Sequence, residues 1–134
     1  MKCKSKKRTK LERDNRDWRT ELIETIGCCQ LPDCIGEWPK NLCVHEIACG
    51  TAGRNLSFAR RCACLVVCSY CNSHRLTDYS LWPVGRQAAL QCLLLADQAA
   101  PEDILLEINV CRGRSANSIN WGDVAKFLEI RMDI

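Results

Sequence analysis

Leu11, Trp18, Leu22, Ile23 and Ile26 recur at helical spacing among charged neighbours, which predicts an amphipathic helix over about residues 10–26. Gly27 follows, a residue able to take the left-handed conformation that ends helices. The next stretch, Cys28-Cys29-Gln30-Leu31-Pro32-Asp33-Cys34, mixes thiols with turn formers and predicts a knuckle rather than a regular element. Two short runs holding β-branched residues, Asn41 to Ile47 and Cys64 to Cys68, predict two paired strands. Gly50, Gly53 and Arg54 mark a loop between them.

The second half of the chain changes to helical patterning. Pro83 opens a run rich in Ala, Leu and Gln that extends to about Ala96, and Pro101 opens another that ends near Gly113. Glu102 and Asp103 sit in the first turn of the latter, where carboxylates suit the helix dipole. A last helix is predicted after Asn120, with Val124, Phe127, Leu128 and Met132 as its buried stripe.

At 134 residues, with 47% hydrophobic and 26% charged positions, the chain has the size and composition of one soluble globular domain. The predicted organisation is a basic flexible tail over residues 1–10 and a single domain over 11–134. That domain divides into an N-terminal helix (11–26), a cysteine-held unit (28–80) and a helical part (83–132). The longest apolar run, Cys62 to Cys68, is far shorter than the roughly 20 residues of a membrane-spanning helix. No apolar stretch follows the basic start as a secretory signal requires, so the expectation is a cytoplasmic protein with no membrane partner.

The formal charge of +3 hides a segregation. Residues 1–19 carry nine Lys or Arg, Lys6, Lys7 and Arg8 among them, against three acids; this net +6 leaves −3 for the rest. Such an arm suits a polyphosphate partner, because each neutralised phosphate releases condensed counterions; the plainer reading is a solvated tail that aids solubility.

Twelve cysteines change the picture most. In a chain without export signals, clustered thiols point to metal rather than to disulfides. Cys68-Ser69-Tyr70-Cys71 has the two-residue gap that lets two thiolates reach one tetrahedral zinc. Its partner pair is Cys29 with Cys34, or Cys28 with Cys34, and the expected structural Zn2+ ligands are Cys29, Cys34, Cys68 and Cys71. Cys62 and Cys64 either compete as ligands or face opposite sides of a strand, whereas Cys92 and Cys111 sit in helical patterns as small apolar residues. A thiol redox role for Cys68 and Cys71 lacks the βαβ pattern such motifs accompany.

Between the thiol pairs lies Leu42-Cys43-Val44-His45-Glu46-Ile47, and the second run continues as Leu65-Val66-Val67-Cys68-Ser69-Tyr70-Cys71-Asn72. This order resembles the HNH, or His-Me finger, nucleases, in which a His-bearing strand, a loop, a second strand and a Cys-x-x-Cys leading into a helix form a ββα-metal unit. Leu76-Thr77-Asp78-Tyr79-Ser80, Trp82-Pro83 and Arg86-Gln87 look like a small phage and bacterial branch that also reads Val-His-Glu-Ile; the resemblance covers about residues 28–92. It implies an α+β, mostly helical fold built on a zinc-held HNH-like unit, with an N-terminal helix and a helical C-terminal half.

The resemblance also implies chemistry. Phosphodiester hydrolysis needs an activated water and a Lewis acid beside the leaving oxygen. By position His45 takes a metal-ligand place and Glu46 the base place, while Asn72 stands where the family's last histidine usually lies and Ala63 near its middle Asn. His74 and Asp78, at i and i+4 on a predicted helix, are then the replacement candidates, with a catalytic Mg2+, Mn2+ or Ni2+. Arg54, Arg60, Arg61 and Arg75 are candidate phosphate clamps. Two functions follow as expectations: a metal-dependent DNA endonuclease, or a nonenzymatic nucleic-acid-binding or regulatory module on the same scaffold. The sequence leaves the oligomeric state open.

Overall fold

The computed structural model describes residues 18–32, 34, 41–47, 58–112 and 118–132. Expectations that fall on Lys6, Lys7, Arg8, residues 10–17 and Arg54 lie outside them. Helix α1 occupies 18–26 and stops where predicted: Gly27 has φ of 71° and donates its N–H to Ile23 O at 2.8 Å.

Strands β1 (Leu42–Glu46) and β2 (Cys64–Cys68) pair antiparallel, with Leu42 opposite Cys68, His45 opposite Leu65 and Glu46 opposite Cys64. Ser69 N–H to Asn41 O and Ile47 N–H to Ala63 O extend the ladder at both ends. Asn41 has φ of 61°, a left-handed conformation that asparagine tolerates better than most side chains. Every residue of β2 is buried, as its uninterrupted apolar sequence predicts for a strand covered on both faces.

The outer edge of β2 is closed by one residue. Gln30 donates its backbone N–H to Val66 O at 2.8 Å and accepts the Val66 N–H on its side-chain oxygen at 2.9 Å. A single glutamine thus does locally what a third strand would do, and brings the segment after α1 against β2.

The connection between the strands contains helix α2 (Phe58–Ala63), where the sequence pattern predicts only loop. Six residues are too few for a periodic signal, and two arginines obscure the apolar face. One of them, Arg60, is only 4% exposed, with its guanidinium 4.0 Å from the centre of the buried Trp18 ring. Cys62 lies in α2 and Cys64 in β2, both buried and neither, among the described residues, in a group of converging ligand atoms, which corrects the expectation that they compete as ligands or face opposite sides of one strand.

After β2 the chain makes a π-helical turn, Cys71–Arg75. Helix α3 (Val84–Leu94) begins one residue after Pro83, so the proline precedes the first turn, and it ends two residues before Ala96. Helices α4 (Pro101–Arg112) and α5 (Trp121–Met132) lie where the patterning puts them. Val124 is buried and Phe127 and Leu128 half-buried, while the side chain of Met132 lies outside the described residues. The fold is α+β and mostly helical, with a two-stranded sheet.

The side chains that close the core include polar ones. Buried Gln91 of α3 donates its amide to Arg61 O and to Cys64 O, satisfying carbonyls at the junction of α2 and β2. Asn109 of α4 brackets Ile119, donating to its carbonyl at 3.1 Å and accepting its N–H at 2.8 Å, which sets the approach to α5. No helix among the described residues is long and apolar enough to cross a membrane.

Candidate metal centre

Three local features bring the thiols together. Gly27 ends α1, Gln30 docks the following segment onto β2, and Cys68 ends β2 just before the turn that carries Cys71. As a result the sulfur atoms of Cys29, Cys34, Cys68 and Cys71 all lie within 4.8 Å of one another. Cys34 Sγ is 3.6 Å from Cys68 Sγ and 3.5 Å from Cys71 Sγ. A tetrahedral zinc with Zn–S bonds of about 2.3 Å separates its sulfurs by about 3.8 Å, so small outward shifts turn this cluster into a ligand set. The ten described cysteines are thiols, with no disulfide among them.

Of the two sequence alternatives, Cys29 is the ligand candidate, since Cys28 is exposed to solvent and outside the cluster. Burial pushes the thiols of Cys29 and Cys71 up, so both favour the protonated form until a cation replaces the protons. The backbone N–H of Cys71 points at Cys68 Sγ at 3.5 Å, and the Arg75 guanidinium donates to Cys71 Sγ at 3.7 Å. Arg75 also donates to Pro32 O at 2.9 Å, tying the knuckle to the turn. Four thiolates around a divalent ion carry a net charge of about −2, which these donors offset.

The candidate catalytic side chains are dispersed. His45 and Glu46 are adjacent on β1, so the strand pleat sends them to opposite faces of the sheet. His45 Nε2 lies 2.7 Å from Gln87 Oε1 of α3, while Glu46 forms an ion pair at 2.7 Å with Arg19 of α1. His74 is exposed on the π-helical turn, its ring centre 4.8 Å from that of Tyr70 with the two planes tilted by 42°.

Asp78 does not share a helix with His74, because the turn ends at Arg75. Its carboxylate instead accepts the Ser80 hydroxyl at 2.6 Å and the Ser80 N–H at 3.1 Å, bonds that hold its pKa below the usual value. Among the described residues, the four cysteines are the one group of three or more His, Cys, Asp or Glu ligand atoms that converges.

The predicted phosphate clamps separate likewise. Arg60 is committed to the core against Trp18, and Arg75 to Pro32 and Cys71. Arg61 is half-buried on α2. Sequence reasoning missed the roles of Gln30, Gln87 and Gln91; for Gln87 and Gln91 the signal is a neutral polar residue on the buried side of a helix, and Gln30, in an irregular segment, offers none.

Compared with protein families, with curated proteins and with solved structures, the chain matches none.

Proposed function

We propose that the chain is a zinc-stabilised, HNH-like ββα module that binds nucleic acid through its basic N-terminal segment without cleaving it. One observation carries this reading: among the described residues the convergent ligand set is made of thiols alone, while His45, Glu46, His74 and Asp78 each meet a different partner. Four cysteine sulfurs close the coordination of a zinc ion and leave no position for water or substrate, which is the signature of a structural rather than a catalytic site. The nucleic-acid partner rests on the net charge of +6 over residues 1–19. A reducing cytoplasm is the setting in which such thiolates stay available to metal.

Binding to a short DNA duplex, measured as affinity against salt, tests it. The expected result is a steep fall of affinity with salt. Deleting residues 1–10 is expected to make the slope shallower by about 0.9 for each phosphate those residues neutralise. Salt-independent or absent binding overturns the reading.

A second reading, a metal-dependent HNH-type endonuclease, is favoured by the pairing of His45 with a buried amide, an arrangement suited to holding an imidazole for chemistry. Its test is plasmid nicking in Mg2+, Mn2+ or Ni2+. Activity that disappears in His45→Ala with the fold retained supports cleavage, and intact plasmid in all three metals removes it.

A further inference from the structure

Gln87 is 1% exposed, and both ends of its amide are engaged. Its Nε2 donates to Trp82 O at 2.9 Å, and its Oε1 lies 2.7 Å from His45 Nε2. A backbone carbonyl can only accept, so the amide end facing Trp82 must be the NH2 group and the end facing His45 must be the oxygen. That oxygen accepts in turn, so the proton between Gln87 and His45 has to sit on His45 Nε2.

We propose that Gln87 is a positioning residue that holds His45 as the Nε2–H tautomer, leaving the lone pair on Nδ1. The Trp82 carbonyl orients the Gln87 amide, and the amide orients the His45 imidazole. Pro83 follows Trp82 as the cap residue of α3, and Gln87 N–H donates to Pro83 O at 3.1 Å, so the start of the helix sets the amide at its station. On the sheet side, His45 faces α3 because Glu46, its neighbour, faces α1. A neutral imidazole held this way offers one nitrogen, Nδ1, to a proton or to a divalent cation, and cannot exchange the roles of its two nitrogens without breaking the bond to Gln87. The tautomer depends on neither reading of the function, because it belongs to the resting protein.

Long-range proton–nitrogen NMR of the full chain at a pH above the imidazole range reads the tautomer directly. The chain has only two histidines, so His74→Gln assigns the His45 signals. The expected spectrum shows His45 as a single Nε2–H form, and Gln87→Met, which keeps the length but removes both bonds, converts it to a mixture of tautomers. An Nδ1–H form or a mixture in the unaltered chain overturns the proposal, as does a folded Gln87→Met protein whose His45 signals do not change. If Gln87→Met fails to fold, the tautomer in the unaltered chain decides alone. No nucleic acid, cleavage or added metal enters the measurement, so its outcome is separable from that of DNA binding.

Discussion

Three glutamines hold positions whose importance their sequence context conceals. Gln30 closes a strand edge, Gln87 holds an imidazole, and Gln91 satisfies carbonyls where α2 meets β2. The Gln30 side chain accepts, that of Gln91 donates and that of Gln87 does both, and which neighbour each meets depends on residues 27 to 42 positions away along the chain, beyond the reach of local pattern. The cysteines were more legible, because a Cys-x-x-Cys spacing is a local signal and the expected set of Cys29, Cys34, Cys68 and Cys71 is the one that converges; only the alternative of Cys28 had to wait for the structure, since excluding it depends on how Gln30 docks. The buried thiols outside the cluster also have a measurable consequence. Burial pushes Cys62 and Cys64 up to about 12 and Cys92 up to about 11, from an ordinary value of 9.0. Above pH 9 the unfolded chain releases these protons while the folded chain retains them, so the unfolded state binds fewer protons and stability falls as pH rises. Denaturant unfolding between about pH 8 and 11 is expected to show this decline, and Cys64→Ala to flatten it relative to the unaltered chain.

At the scale of elements, β2, α4 and α5 were legible because their patterns are long or uninterrupted, whereas α2 and the π-helical turn were not. The turn matters most for the candidate site: an ordinary helix would have stacked His74 beneath Asp78, and ending at Arg75 sends Asp78 into its own turn with Ser80. The strand pleat likewise divides His45 from Glu46, a consequence already contained in the predicted strand. Helix packing offers a direct check. A Cβ built on Gly85 of α3 would lie 2.7 Å from Asp123 O and 3.0 Å from Asp123 Cβ of α5. Because the obstacle is backbone, the two helices must separate to admit a methyl group. Gly85→Ala is expected to lower stability by about 1–3 kcal/mol, read as a lower urea midpoint with the slope unchanged.

For the molecule as a whole, a two-stranded sheet is marginal by itself, and here it is sealed by helices and tied at one end by thiols. The buried apolar residues of α1, β2 (Cys68 included), α3, α4 and α5 belong to one cluster, which Cys71 also joins. The metal centre therefore sits at the margin of the core rather than apart from it, linking the segment after α1 to the end of β2. If an ion fills it, the binding free energy, about 10–16 kcal/mol for structural zinc, is folding free energy. Removing one ligand then threatens the architecture, and acid releases the metal because protons compete for the same sulfurs. The most direct measurement is metal analysis of the reduced, purified chain together with the visible spectrum after cobalt substitution. One zinc per chain, a tetrahedral four-thiolate cobalt spectrum and the disappearance of both in Cys71→Ser are the predicted results; a folded chain that carries no metal, or whose Cys29, Cys34, Cys68 and Cys71 are joined in disulfides, would contradict the account.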